Sequence, residues 1–296
     1  MAEADGLFEA AAARLRGDGG ARDVAGAREL FRQAAGLGRV EAAVIYANFL
    51  AAGVGGPRQW SDALRLLAAL GEVNPRSRRE LERVEAMALT SEGDPSKIPE
   101  GEPLCKKPVI TRFAGLFSPA ECEYLAQAAA PMLEPAVVIE PRSGRQVSDP
   151  VRVCDSVGFT WPLENPAIHA LNRRIAAASS TAFEQGEPLQ VLRYRPGGEY
   201  RPHFDAIPGF ANQRAMTMLV WLNGDYEGGE THFPTPGLKL KGRAGDAILF
   251  RNTGDDGRRD PASGHAGLPV STGEKLIASR WIRERPFEMP MGETVG

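Results

Sequence analysis

The chain has 296 residues, of which 43% are hydrophobic and 25% are charged, so it carries enough apolar side chains to bury a full core. Its length suits a main domain with an appendage, and disorder is not the expected state. Lys and Arg number 35 against 38 Asp and Glu, and a net charge near −3 offers no bulk attraction to nucleic acid or an anionic membrane. We therefore expect neither of these partners, and a small or peptidic partner instead.

The cysteines and the N-terminus indicate the compartment. Cys105, Cys122 and Cys154 are odd in number, widely spaced and without a C-x-x-C pair, which argues against a disulfide framework or a cysteine-based zinc site. The N-terminal stretch "MAEADGLFEAAAARLRGDGG" carries acids where a signal peptide needs basic residues. Because no apolar stretch approaches the length of a membrane span either, we expect a cytoplasmic protein.

Residues 1–90 are rich in Ala, Leu, Arg and Glu, show helical periodicity and repeat themselves. Five residues recur 36 positions further on, namely Gly17, Gly20, Arg22, Ala27 and Leu30 and then Gly53, Gly56, Arg58, Ala63 and Leu66. A helical period in the mid-thirties is typical of tetratricopeptide-type solenoids, and "FRQAAGLGRVEAAVIYANFLAAGVGGPRQWSDALRLLAAL" resembles their Sel-like branch, which generally serves protein contacts. Since only about two units are present where about three are usually needed, two interpretations stay open: a cap on the main domain, or a docking surface for a protein partner.

The next segment, 91–104, is polar and proline-rich ("SEGDPSKIPEGEPL"), which predicts a linker. The main domain is then expected over 105–296. It begins with a helix predicted over 119–132, because Ser118 is followed three residues later by a glutamate in the pattern of a capping box.

A second helix is predicted over 165–183, and from residue 188 onward the pattern changes to short strands separated by turn residues. The predicted strands lie at 189–194, around His203, at 215–223, at 246–252 and at 275–283. Helices followed by a run of antiparallel-looking strands indicate an α+β fold, either a barrel or a jelly roll with supporting helices.

The stretch "YRPHFDAIPGF" places His203 and Asp205 two positions apart. On a strand, such residues project from the same face, so both can reach one metal ion. Two histidines and one carboxylate form the facial triad of non-haem iron(II) oxygenases, but the pair by itself is also compatible with a surface ion pair.

Further on, "SGHAGLPVSTGEKLIASRWI" supplies His265 and, ten positions later, Lys275. A lysine at the start of an apolar strand needs an anion, which a dicarboxylate co-substrate would provide.

Four motifs together resemble the catalytic domain of prolyl 4-hydroxylases, members of the 2-oxoglutarate and iron(II)-dependent dioxygenases: "QVLRYRPGGEYRPHFD", "RAMTMLVWLNGDYEGGETHFP", "GDAILFRN" and "HAGLPVSTGEKLIASRWI". The similarity covers most of residues 105–285, with the motifs in the family's order and spacing. It implies a double-stranded β-helix, or jelly roll, preceded by the small all-α repeat region.

The resemblance also implies a catalytic centre in which His203, Asp205 and His265 hold iron(II). Lys275 would bind the distal carboxylate of 2-oxoglutarate, and Tyr194 matches the tyrosine that donates its hydroxyl to the same carboxylate.

Other matches concern the walls of the site. Thr231 and Trp281 match positions that line the co-substrate pocket, and Arg214 matches an arginine near the substrate entrance. The segment 148–156, "SDPVRVCDS", lies where the family has a mobile loop over the substrate. The chain departs from the family at Leu276, where a tryptophan is common.

The implied reaction is hydroxylation of an unactivated C–H bond with 2-oxoglutarate and O2, with release of succinate and CO2; it admits ascorbate as a reductant. The expected target is a prolyl or another residue of a peptide or protein. Two alternatives stay open: the same chemistry on a small-molecule metabolite, and an inactive jelly roll that serves as a binding scaffold.

Overall fold

The structure is a computed structural model, and it describes residues 1–139, 146–148 and 151–287. The chain divides into two compact units. The first comprises Met1–Lys97 and Phe159–Arg174, and the second comprises Ile98–Gly158 and Ile175–Phe287. Segment Phe159–Arg174 thus groups with the N-terminal helices, although it follows much of the second unit in the chain. The domain boundaries expected from composition stay a prediction.

Five helices form the N-terminal part of the first unit: α1 Ala2–Arg16, α2 Val24–Gly36, α3 Val40–Ala52, α4 Trp60–Gly71 and α5 Pro75–Glu85. Each of them packs against the next one in the chain. Gly17 ends α1 and Gly53 ends α3, with left-handed φ values of 79° and 74°. Because a residue with a side chain is strained in this conformation, the repeated glycines are explained by the turn between paired helices.

The segment Phe159–Arg174 completes the core of the helical unit. Trp161 packs against the buried cluster that includes Phe31 and Phe49. Asn48 Nδ2 donates a hydrogen bond to the carbonyl oxygen of Pro162 at 2.8 Å. The two helical repeats therefore bury part of their apolar surface against a segment from outside residues 1–90.

Seventeen strands are described, in chain order β1 Gly101–Lys106, β2 Val109–Phe113, β3 Glu134–Pro135, β4 Val137–Ile139, β5 Gln146–Ser148, β6 Arg152–Val153, β7 Asp155–Phe159, β8 Leu189–Tyr194, β9 Glu199–His203, β10 Arg214–Trp221, β11 Glu227–Gly228, β12 Thr231–Phe233, β13 Leu238–Leu240, β14 Ala247–Arg251, β15 His265–Gly267, β16 Val270–Thr272 and β17 Lys275–Arg283. The two remaining α-helices are α6 Pro119–Ala129 and α7 Pro166–Ala178.

The strands form two main antiparallel sheets. The larger has the order β1-β2-β14-β10-β17-β8-β7-β3, and the smaller has the order β13-β12-β15-β9-β6. From β8 onward the chain passes repeatedly from one sheet to the other, which is the topology of a double-stranded β-helix. Side chains of both sheets, among them Leu192, Trp221 and Phe233, share one buried core. The predicted fold class, α+β with a jelly roll, is confirmed.

Helix α6 begins at the predicted residue. The Ser118 hydroxyl accepts a hydrogen bond from the Glu121 amide at 3.2 Å, and the Glu121 carboxylate accepts one from the Ser118 amide at 2.7 Å. This reciprocal pair is the capping box that the sequence indicates. The last residues of the predicted helix, Ala130–Met132, form a 3-10 turn instead.

Helix α7 is shorter than the predicted helix over 165–183. The Ser179 hydroxyl donates to the carbonyl oxygen of Ile175 at 2.9 Å, and Ser180 takes a left-handed φ of 55°. A serine hydroxyl that bonds back to the preceding turn competes with continuation of the helix. The strand β1 also starts inside the segment predicted as a linker, at Gly101, and accommodates Pro103 beside a register shift.

No helix within the described residues is long and apolar enough to cross a membrane.

Candidate metal centre and active site

Two strands of the smaller sheet bring the three expected metal ligands together. His203 ends β9, Asp205 follows two residues later, and His265 starts β15, which pairs with β9 so that the two histidines lie opposite each other. The potential ligand atoms of the three residues all lie within 4.8 Å of one another. The Asp205 carboxylate oxygens are 3.7 Å from His203 Nε2 and 3.8 Å from His265 Nε2.

The second nitrogen of each imidazole is engaged by the backbone. His203 Nδ1 lies 2.8 Å from the carbonyl oxygen of Arg201, and His265 Nδ1 lies 3.0 Å from that of Ser263. Because a carbonyl oxygen only accepts, each Nδ1 carries the proton and each Nε2 keeps its lone pair toward Asp205. Burial, followed by the neighbouring His265, lowers the pKa of His203 to about 4, so this ligand is neutral at pH 7. Two imidazole nitrogens and one carboxylate on one side of a site fit iron(II).

Asp205 is oriented by a chain of hydrogen bonds that sequence reasoning missed. The Thr217 hydroxyl donates to Asp205 Oδ2 at 2.6 Å, and Asn252 Nδ2 donates to the same hydroxyl oxygen at 2.8 Å. Burial acts to raise the pKa of Asp205, but the two histidines and the Thr217 hydroxyl outweigh it and hold that pKa below its ordinary value. The carboxylate is thus kept ionised and fixed in direction.

The cluster faces a cavity whose volume, with its open mouth, is about 450 Å³. All seven residues expected in the metal and co-substrate site line it, and they are His203, Asp205, His265, Lys275, Tyr194, Thr231 and Trp281. Apolar side chains of the larger sheet, Leu192, Leu219 and Ile277, line it as well. The structure therefore assembles, in one cavity, residues that are up to 87 positions apart in the chain, from Tyr194 to Trp281.

Lys275 is a buried cation in the lining of this cavity. Its side chain is only 3% exposed, and its ammonium donates a hydrogen bond to the carbonyl oxygen of Gly229 at 2.8 Å. Burial lowers the pKa of Lys275 to about 8. Tyr194 lies directly opposite it on the paired strand β8, with the ammonium 5.2 Å from the tyrosine ring centre. A buried ammonium beside a phenol suits the carboxylate of an anionic ligand.

Arg214 is not among the residues that line the cavity. Its guanidinium makes two hydrogen bonds with the carboxylate of Glu187, at 2.7 and 2.9 Å, and stacks on the Trp281 ring at 3.6 Å from the ring centre. Glu187 is 1% exposed and also forms an ion pair with Arg283, whose Nε lies 2.6 Å from the carboxylate. Arg214 therefore supports one wall of the cavity through Trp281, while its contact with a substrate stays a prediction.

Two further lining residues were missed from the sequence. Tyr200 stacks on the His203 ring, with 3.5 Å between ring centres and 13° between planes, and Arg152 lies opposite Tyr200 in the β6–β9 pairing. The Arg152 guanidinium is 5.5 Å from the Tyr200 ring centre. The period of two gives no signal for Tyr200, because Tyr200 lies three positions before His203 and would face the opposite side of a regular strand; the register of β9 with β15 shifts between these two residues. Arg152 lies in the segment 148–156, where a loop was expected.

That segment is described only in part. Residues 149–150 lie outside the described residues, whereas 152–153 form β6 and 155–159 form β7.

A jelly roll whose cavity holds two histidines, one carboxylate and a buried lysine has the architecture of a non-haem iron(II) oxygenase that uses an anionic co-substrate. The profile of the 2OG-Fe(II) oxygenase superfamily matches residues 189–283. Prolyl 4-hydroxylase 1 of Arabidopsis thaliana is 38% identical over 197 residues, which cover 60% of this chain and 70% of that protein. Probable prolyl 4-hydroxylase 7 of the same plant is 30% identical over 226 residues, covering 69% and 70%. The chain belongs to the prolyl 4-hydroxylase family of 2OG-Fe(II) oxygenases.

Among solved structures, the viral collagen prolyl hydroxylase of Paramecium bursaria Chlorella virus-1 in its 2OG complex is 30% identical. The match covers 59% of this chain and 95% of that one, with a TM-score of 0.48. Membership of the family confirms the predicted enzyme class, a 2-oxoglutarate-dependent dioxygenase, together with its requirement for Fe(II), 2-oxoglutarate and O2.

Proposed function

We propose that this enzyme hydroxylates a proline residue of a peptide or protein in the cavity described above. The observation that carries the proposal is the joint lining of one cavity by the triad His203, Asp205 and His265 and by the buried Lys275. The similarity to prolyl 4-hydroxylases supports proline as the target.

In this proposal each residue has a defined task. His203 Nε2, His265 Nε2 and one Asp205 oxygen hold iron(II), which, when bound with 2-oxoglutarate and O2, supplies the chemistry that hydroxylates a C–H bond and releases succinate and CO2. Lys275 and the Tyr194 hydroxyl bind the distal carboxylate of 2-oxoglutarate and thereby orient it.

The walls of the cavity have a different task. Thr231 and Trp281 line the co-substrate pocket, and the apolar side chains beside them exclude water from the reacting atoms. We also propose that the enzyme's activity depends on a reductant such as ascorbate.

The test combines a binding and a product measurement. Without oxygen, adding Fe(II) and then 2-oxoglutarate to metal-free protein should produce the visible charge-transfer band of the metal chelate. With oxygen, mass spectrometry of a proline-peptide library should show a gain of one oxygen on proline, with stoichiometric succinate.

His265→Ala should abolish the band and the product. His232→Ala is the matched control, because His232 lies on β12 in the same sheet and is not one of the grouped ligands. A band without any peptide product, but with a hydroxylated small metabolite, would replace proline by the metabolite alternative. Absence of the band would leave only the scaffold alternative.

The helical repeats and the compartment complete the proposal. The repeats contact Trp161 and Pro162 within their own unit, and a cap on the main domain and docking of a protein partner stay as the two alternatives. A pull-down that recovered one partner with the whole chain, and lost it when exposed side chains of α5 were changed, would favour docking. The three cysteines are free thiols, which supports a reducing, cytoplasmic location.

A further inference from the structure

A second groove opens beside the active-site cavity. Its volume is about 1080 Å³ with its open mouth, and its lining includes Arg152, Arg193, Arg195 and Asp155. Arg152 lines the active-site cavity as well. The groove therefore adjoins the place where the proposed reaction occurs, and the two share the Arg152 side chain.

The groove carries an excess of positive charge. Arg193 Nη2 and Arg195 Nη1 both contact the same oxygen of Asp155, at 2.8 and 2.7 Å, so two guanidinium groups share one carboxylate. Arg152 Nη2 donates to the neutral amide of Gln190 at 3.1 Å. Arg195 also lies 3.5 Å from Glu274, and even with that carboxylate counted the groove has three cations and two anions.

The lining of the groove includes an edge strand. Among the described strands, β6 lies at the edge of the smaller sheet, and its residue Val153 is 48% exposed. Pro135 and Pro196 add apolar surface to the lining. An edge strand with apolar and guanidinium side chains beside it can accept a peptide segment with a carboxylate side chain.

We propose that this groove binds an acidic residue of the peptide substrate near the target proline, so that the enzyme prefers proline in acidic segments. This inference rests on the proposed function for the identity of the target residue. Arg195 is the residue that decides the preference, because it lines the groove and its side chain is 55% exposed. Arg193 holds Asp155 in place when Arg195 is changed.

The test is equilibrium binding of three labelled peptides that differ only in the residues flanking one proline, which are Glu, Gln or Lys. Fluorescence anisotropy is measured with the whole chain, Fe(II) and 2-oxoglutarate in the absence of oxygen. We expect the Glu peptide to bind about threefold to fivefold more tightly than the Gln peptide, as for one partly exposed ion pair. Arg195→Gln should remove this difference, and Arg195→Glu should reverse the order in favour of the Lys peptide.

The matched control is Arg243→Glu, which makes the same charge change at a side chain that is 87% exposed and outside the groove lining. Equal binding of the three peptides, no binding of any of them, or loss of the preference in Arg243→Glu as well, would overturn the groove assignment.

Mass spectrometry of the same peptides after adding oxygen separates the two proposals. An acid preference that depends on Arg195, without hydroxylated proline, would overturn the proposed target and leave the groove as an acidic-peptide site. Hydroxylated proline without any charge preference would overturn the groove assignment and leave the proposed function.

Discussion

Thr217→Val removes one hydroxyl from the buried hydrogen-bond chain that ends on a proposed metal ligand. Asp205, Thr217 and Asn252 are 5%, 1% and 0% exposed, so water does not replace a lost partner. Since a carboxylate only accepts, the Thr217 proton points to Asp205, and the hydroxyl lone pair takes the Asn252 amide. Valine has nearly the shape of threonine and removes both hydrogen bonds at once.

The expected magnitudes follow from these contacts. A hydrogen bond to a charged group contributes about 1.5–3 kcal/mol, and a buried donor without a partner costs about 1–3 kcal/mol. We expect Thr217→Val to lower the free energy of unfolding of the metal-free protein by about 2 kcal/mol. Because Asp205 loses the donor that fixes its direction, we expect iron(II) to bind about tenfold to a hundredfold more weakly.

The assay is an anaerobic iron(II) titration, together with urea unfolding of the metal-free protein. Thr217→Ser keeps the hydroxyl and should retain most of the metal affinity, while Thr272→Val makes the same change at an exposed position and should alter neither quantity. If Thr217→Val bound iron(II) within about twofold of the wild type, or if the serine variant lost as much affinity as the valine variant, orientation of Asp205 by Thr217 would be refuted.

Three further predictions concern other buried groups. Affinity for 2-oxoglutarate should fall about tenfold per pH unit above pH 8, because the pKa of Lys275 is lowered to about 8 and only the ammonium attracts a carboxylate. In binding titrations at several pH values above 8, Lys275→Arg should abolish this loss of affinity. Burial raises the pKa of Glu80 from 4.5 to about 8, so the free energy of unfolding should fall as the pH rises between these values. Glu80→Gln should therefore raise the free energy of unfolding at pH 7 by about 2 kcal/mol in urea unfolding, whereas the exposed control Glu82→Gln should not change it. Trp161→Ala should lower the free energy of unfolding by about 2 kcal/mol, measured by thermal unfolding of the whole chain.

Local patterns predicted the elements well where the physical cause is local. Strand β8 was predicted over 189–194 and lies there. Helix α6 starts at Pro119, directly after its cap Ser118, as predicted, because the capping box depends on residues only three positions apart. Helix α7 was predicted too long, since the competition from the Ser179 hydroxyl depends on its side-chain direction. The association of Phe159–Arg174 with the helical repeats could not be predicted, because it pairs segments about 100 residues apart.

In the candidate site, too, local sequence patterns predict some residues, and others depend on tertiary contacts. The period of two on a strand predicts that His203 and Asp205 share a face, but it does not say which histidine completes the set. The β9–β15 register places His265 opposite His203. Thr217 and Asn252 have no sequence signal at all, because an uncharged residue that orients a ligand through one hydroxyl looks like any other residue of a buried strand. Their role requires the tertiary contacts.

The order of the motifs along the chain has a physical reason in the two sheets. His203 and His265 belong to the smaller sheet, whereas Tyr194, Lys275 and Trp281 belong to the larger one. Because the chain passes back and forth between the sheets, residues proposed to bind the co-substrate alternate in sequence with residues proposed to bind the metal. Metal affinity and 2-oxoglutarate affinity should therefore respond separately to substitution of the two histidines and of Tyr194 or Lys275. Asp205 instead depends on both sheets, because it accepts a hydrogen bond from Thr217 on β10 of the larger sheet.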